Sequence, residues 1–177
     1  MNSHETLKEQ IIKKALVHGK VILSSGKEAD YYVDLRRVTL DAVAAPLVGQ
    51  VMLDLMQGWD YEAVGGLTLG ADPVASAIMH VAGQQGRKID SFVVRKAEKQ
   101  HGLQRRIEGP GVKGRRVVAV EDTSTTGGSV LTAVDALREA GAIVVGVAVI
   151  VERGAKQAIL DAGLEYRAAF SLKELGL

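Results

Sequence analysis

An α/β fold with a central, mostly parallel sheet flanked by helices is predicted by three features of this sequence. Apolar runs rich in valine and isoleucine recur at residues 64–69, 92–95, 117–120 and 143–151, too continuous for strands with one face in water. Between them lie segments whose apolar residues repeat at helical spacing, so strands and crossovers alternate as they do in a sheet covered on both faces. The chain has 177 residues without internal repeat, low-complexity tract or proline-rich or serine-rich linker, which fits one domain with a full core.

Taken in order, residues 6–17 read as a helix, and "VILSSGKEADYYVDLRR" reads as two short strands joined by a turn. About residues 1–40 are therefore expected to form a small N-terminal hood on a core spanning about residues 41–177. A helix over 46–56 puts Val48, Met52, Leu55 and Met56 on one face; one over 73–82 does the same for Val74, Ala77, Ile78 and Val81. A third, over 130–140, gathers Val130, Ala133, Val134 and Leu137, and Gly141 supplies its closing glycine. The net charge of +1 excludes an overall electrostatic glove for nucleic acid, so any phosphate binding has to be local. Cysteine is absent, which removes disulfides and thiolate metal sites and fits a reducing compartment. "MNSHETLKEQ" lacks the apolar core of a signal peptide, and "IVVGVAVIV" falls well short of the ~18 residues of a membrane span. A soluble, cytoplasmic protein without a membrane partner is expected.

The chemistry concentrates in "VVAVEDTSTTGGSV", residues 117–130. The strand delivers Glu121 and Asp122 to the carboxyl edge of the sheet, where ligands of open α/β folds bind. Thr123, Ser124, Thr125, Thr126, Gly127, Gly128 and Ser129 then form the turn into a helix, whose unpaired N–H groups and dipole favour an anion. The two glycines let backbone approach a phosphate, and the hydroxyls add donors. Two carboxylates beside a phosphate need other partners, and sugar hydroxyls or hydrated Mg²⁺ suit them. Together these demands describe a phosphorylated sugar. Neither G-x-x-x-x-G-K-[ST] nor G-x-G-x-x-G occurs here; the plainer reading is a strand-turn-helix connection with a polar cap.

The same stretch resembles the phosphoribosyl pyrophosphate (PRPP) motif of type I phosphoribosyltransferases: an apolar strand, two acids, then a loop of threonine, serine and glycine. A second stretch, "FVVRKAEKQHGLQRR", carries Arg95, Lys96, Lys99 and His101 before Gly102. By composition it is either a solvated basic loop or a cationic lid that neutralises a departing anion and excludes water. Its pattern R-K-x-x-K-x-H-G resembles the catalytic loop of orotate phosphoribosyltransferases. That resemblance implies that Arg95, Lys96, Lys99 and His101 contact pyrophosphate, that Lys99, Lys96 and His101 act in catalysis with Asp122, and that part of the loop reaches the partner's site in a homodimer. "LSSGKEADYYVDLR" resembles the family's hood segment and implies orotate contacts from Tyr31, Tyr32 and Lys27, although the tyrosines alone also suit a half-buried strand. "VERG" implies that Arg153 meets the orotate ring or its carboxylate, and Thr125 is carried over to orotate as well. "GGLTLGADPVA" resembles the loop that meets pyrophosphate through backbone amides.

The resemblance runs from about residue 16 to residue 154 on four motifs in the family's order. Where many members carry lysines, this chain has Ser24 and, at residues 68–71, "TLGA"; Glu121 stands where aspartate is commoner. It implies a Mg²⁺-dependent transfer of ribose 5-phosphate from PRPP to orotate, in pyrimidine biosynthesis, with the metal bound mainly through PRPP. Two alternatives share the sugar-phosphate site: transfer to another nucleobase, and a PRPP-sensing regulator that binds nucleic acid through the basic residues 103–116.

Overall fold

The computed structural model describes residues 2–22, 26–97 and 105–177. Helix α1 (Ser3–Lys14) is followed by strands β1 (Leu16–Ile22) and β2 (Glu28–Val33), then helices α2 (Arg36–Thr39) and α3 (Ala44–Leu55). The core continues as β3 (Ala63–Leu67), α4 (Ala71–Gln84), β4 (Asp90–Val94), β5 (Ile107–Glu108), β6 (Arg116–Ser124), α5 (Gly128–Glu139), β7 (Ile143–Glu152), α6 (Lys156–Asp161) and β8 (Glu165–Ser171). A short 3-10 turn, Lys173–Leu175, follows β8.

Six strands form one sheet in the order β5-β4-β3-β6-β7-β8, parallel throughout except that the two-residue β5 runs antiparallel to β4. The predicted α/β class is the observed one. Neighbouring residues of β6 serve opposite faces, as strand geometry requires. Val118 and Val120 join the core under α1, α3 and α4, while Val117 and Ala119 join the core under α5 and α6. Glycine lets two strands approach at β3: a Cβ on Gly65 would stand 2.2 Å from the Phe92 carbonyl oxygen and 2.4 Å from its ring. Among the described residues, no helix is long and apolar enough to cross a membrane.

Most elements lie within two residues of the sequence reading, and two differ by more. The first helix stops at Lys14 rather than continuing to Val17, because Leu16 and Val17 pair in β1 with Val33 and Tyr32. Asn2 caps its start, accepting from the Glu5 N–H at 2.8 Å. Strand β6 runs past Val120 through the acids to Ser124, since parallel pairing with β7 continues to Glu152. The hairpin β1–β2 is a separate two-stranded sheet. Helix α1, by contrast, belongs to the main body: Leu7 and Ile11 are wholly buried, and His4 stacks on Phe170 of β8 at 4.3 Å.

Candidate active site

The chain leaves β3 toward β4 on one side of the sheet, and β6 opens the other side. Between β3 and β6 the strand order therefore reverses, and the crevice beyond their carboxyl ends is where such a sheet binds ligands. A cleft of about 370 Å³ opens there. It is lined by Glu121, Asp122, Thr123 and Ser129 from β6 and the start of α5, by residues 67–70 after β3, by Lys96 after β4, and by residues 33–36 after the hairpin.

Glu121 is 6% exposed. Burial, and then repulsion by Asp122, push its carboxyl up to about 8. Asp122 is also raised, chiefly by burial, though the Glu121 hydrogen bond and the backbone N–H of Thr123, 2.7 Å from its Oδ1, favour its ionised form. Of the two, Glu121 is the one that holds its proton up to about 8. Gly70 roofs the pair: a Cβ there would stand 2.3 Å from Glu121 Oε1 and 3.0 Å from Asp122 Oδ1. Thr68 Oγ1 donates to Asp72 Oδ2 at 2.6 Å and closes the turn into α4.

On the far side of the acids, Gly127 adopts a left-handed φ of 82° and begins α5 without a side-chain cap. The Thr126 hydroxyl lies 3.3 Å from the Gly128 N–H, and Thr125, Thr126, Gly128 and Ser129 are exposed. This end of a twelve-residue helix offers N–H groups, hydroxyls and dipole to an anion beside two carboxylates. Ser124 differs from its loop neighbours: it is buried at the end of β6, and its carbonyl accepts the Arg153 N–H at 3.0 Å.

Other expected site residues are dispersed. Tyr31 packs on the core, whereas Tyr32 is 37% exposed and interacts electrostatically with Arg36. Lys27 is exposed at the entry to β2 and lies outside the cleft lining. The Arg95 guanidinium lies 3.4 Å from Glu108 on β5, and Lys96 alone of this basic segment's described residues lines the cleft. Arg153 is half-buried on the turn after β7. Ser24, Lys99 and His101 lie outside the described residues.

Sequence reasoning missed Arg36 and Asp34. They enter the cleft wall because α2 starts immediately after the hairpin, and Arg36 Nε donates to Asp34 Oδ1 at 3.1 Å. That hydrogen bond holds the guanidinium above its usual range, with Asp122 adding to the effect. The signal was present as "DLRR" directly after the paired tyrosines.

Residues 63–164 match the phosphoribosyl transferase domain family. Along nearly its whole length the chain is 68% identical to the orotate phosphoribosyltransferase of Streptomyces avermitilis, over 174 residues that make up 97% of this chain and 96% of the relative. The chain belongs to the orotate phosphoribosyltransferases. The Corynebacterium glutamicum member is 60% identical over 173 residues, covering 97% of this chain and 92% of that one. The fold agrees with that of the family member from Mycobacterium tuberculosis at a TM-score of 0.91 and 56% identity, covering 99% and 100% of the two chains. A structure of the same M. tuberculosis protein in complex with PRPP matches at a TM-score of 0.87 and 51% identity, over 99% and 100%.

Proposed function

We propose that this chain transfers the ribose 5-phosphate of PRPP to orotate, giving orotidine 5'-monophosphate and pyrophosphate, as one phosphoribosyltransferase domain with the hairpin as its hood. The observation that carries the reading is the pair of buried Glu121 and half-buried Asp122 set beside the uncapped start of α5 at the switch point of the sheet. The 5'-phosphate takes the N–H groups and hydroxyls of residues 123–129, and the acids accept from the ribose hydroxyls. Orotate supplies an anionic ring nitrogen, so no strong protein base is required. The C1'–N bond forms as the C1'–O bond breaks, and the bonding pair leaves with pyrophosphate. Asp122 opposes the positive charge that develops on the ribose ring, and Glu121 joins it in the fraction of the enzyme whose Glu121 proton has passed to solvent before the transfer.

The side-chain oxygens at the cleft are the carboxylates of Asp34, Glu121 and Asp122 and the hydroxyls of Thr68, Thr123 and Ser129, which suit a hard cation such as Mg²⁺. The ion is assigned mainly to the PRPP phosphates, with these oxygens beside it. Bound there, it would neutralise charge on the leaving group. Arg95, Lys96, Lys99 and His101 are assigned to that leaving group, and Tyr31, Tyr32, Lys27, Thr125 and Arg153 to orotate.

Arg36 supplies a cation at the cleft of a chain that has Ser24 and, at residues 68–71, "TLGA" where the resemblance implies lysines. Arg36→Ala is expected to raise the KM for PRPP by roughly tenfold, the scale of one charge-assisted contact, with a smaller change for orotate. Steady-state kinetics with each substrate varied checks it; an unchanged KM for PRPP removes Arg36 from the site.

The active unit is a homodimer with shared sites, working in the cytoplasm. Leu40, Val43 and Leu69 are 68%, 63% and 54% exposed, around a groove of about 510 Å³ lined by α3 and α4. Leu69 lines both this groove and the cleft, so a second copy seated there borders the active site. Leu40→Asp is expected to convert dimer to monomer in light scattering at micromolar concentration and to lower turnover. A variant that remains dimeric places the interface elsewhere.

The reaction itself is tested by loss of orotate absorbance with purified protein, Mg²⁺ and PRPP, with uracil, adenine and hypoxanthine as competing acceptors. Loss that needs all components supports the reading. Turnover of another base instead would reassign the acceptor, and PRPP binding without turnover would favour a regulator.

A further inference from the structure

Glu152, the last residue of β7, organises the turn that follows it. Its Oε1 accepts from the Gly154 N–H and faces that of Lys156 at 3.4 Å, and its Oε2 accepts from the Tyr166 hydroxyl on β8. The turn carries Arg153, whose own N–H donates to the Ser124 carbonyl at 3.0 Å. Gly154, at φ 121°, lies so close to the phosphate loop that a Cβ would stand 3.2 Å from the Thr125 carbonyl oxygen. Gly127 of the same loop lies against Ala158 and Ile159 of α6, where a Cβ would make contacts of 3.5 and 3.7 Å. One carboxylate therefore links β8, the Arg153 turn and the first turn of α6, and the turn in its place braces residues 124–127.

Tyr166 is half-buried against the core, and burial together with the Glu152 hydrogen bond raises its phenol above the usual range. It remains a donor at any pH the enzyme meets. No step of the proposed chemistry uses it.

We infer that Tyr166 is a positioning residue: by holding Glu152 Oε2 it fixes the Arg153 turn, and with it the seating of the base beside residues 124–127. Without the phenol donor the Glu152 side chain is free to rotate, and the Gly154 and Lys156 amides then lose a fixed acceptor. Ordering of the turn then has to occur when the base binds, which weakens binding and leaves the chemical step alone. The inference rests on the proposed reading, in which Arg153 meets orotate.

The test is steady-state kinetics on Tyr166→Phe, Glu152→Ala and the double variant, together with amide hydrogen exchange at Gly154 and Lys156 in the ligand-free proteins. If Glu152→Ala does not fold, Glu152→Gln, which keeps an oxygen for Gly154, replaces it. Tyr166→Phe is expected to raise the KM for orotate roughly tenfold, as loss of a hydrogen bond to a charged group does, with kcat within about twofold and a smaller change for PRPP. The double variant should be no worse than Glu152→Ala, and exchange at Gly154 should quicken in Tyr166→Phe. Additive losses, equal changes in every kinetic parameter, or unchanged exchange would overturn the inference. If the wild-type protein does not use orotate, the functional reading fails by itself, and exchange at Gly154 alone then decides the role of Tyr166.

Discussion

Glu121→Gln is expected to raise the melting temperature of the ligand-free protein at pH 9, to leave it nearly unchanged at pH 5, and to cost most of the activity. The folded chain holds the Glu121 proton up to about pH 8, against an ordinary 4.5. Where a folded carboxyl has a raised pKa, the folded state binds more protons than the unfolded one, so stability falls as pH rises between the two values. The contribution is intact below about 4.5 and is lost by the time pH passes 8. At about 1.4 kcal/mol per pH unit, the difference amounts to a few kcal/mol. Glutamine imitates the protonated acid: it keeps an oxygen for the Asp122 N–H, 3.3 Å away in the native chain, and an N–H group to give to Asp122. It therefore avoids the ionisation that the wild-type chain undergoes.

For a domain of this size a few kcal/mol corresponds to roughly 5–12 °C in melting temperature. Glutamine cannot become the second anion beside the ribose ring, and loss of one such preorganised contact lowers kcat on the order of 10²-fold. Thermal melts from pH 5 to 9, with activity at each pH, check both parts. A stability difference that is the same at every pH would show that Glu121 does not titrate in this range. The opposed effects on stability and activity are what a buried functional carboxylate entails.

The features legible in the sequence are those set by local pattern. Strands β3, β4, β6 and β7 lie buried between two helical layers, so each appears as an uninterrupted apolar run. The acids and the loop before α5 were legible because strand, carboxylates and glycines are contiguous in the chain. Strand β5 has two residues and cannot display a period, while β8, "EYRAAFS", mixes charge with apolar residues because it edges the sheet. Only the start of β1 lay inside the expected helix: Leu16 and Val17 continue the apolar spacing of α1, and only pairing with β2 turns them into a strand. Arg36 entered the cleft through folding rather than motif. Likewise the place of Gly70 over both carboxylates depends on β3 and β6 being neighbours.

Lys99→Ala is expected to lower kcat on the order of 10²- to 10³-fold, the scale of losing one electrostatic contact to a developing charge. The affinity for orotate should change little. Strand β4 ends at the cleft with Lys96 in its wall, and the chain returns where the Arg95 N–H donates to the Arg106 carbonyl at 2.8 Å. The described residues that flank the segment carrying Lys99 and His101 are thus held together, and in the proposed reaction Lys96 serves the leaving-group side. Negative charge accumulates on pyrophosphate only as the C1'–O bond breaks, so a cation placed there acts on the transition state more than on bound substrate. In the proposed reaction orotate approaches C1' from the side opposite the leaving group, so its binding is not expected to depend on Lys99. Lys99→Arg keeps the charge but replaces a compact ammonium with a planar fork, and should recover part of the rate. Single-turnover rates and orotate titrations separate the two quantities. Equal loss of turnover and orotate affinity would make Lys99 an organiser of the loop, and recovery by arginine would then have no reason to favour the rate.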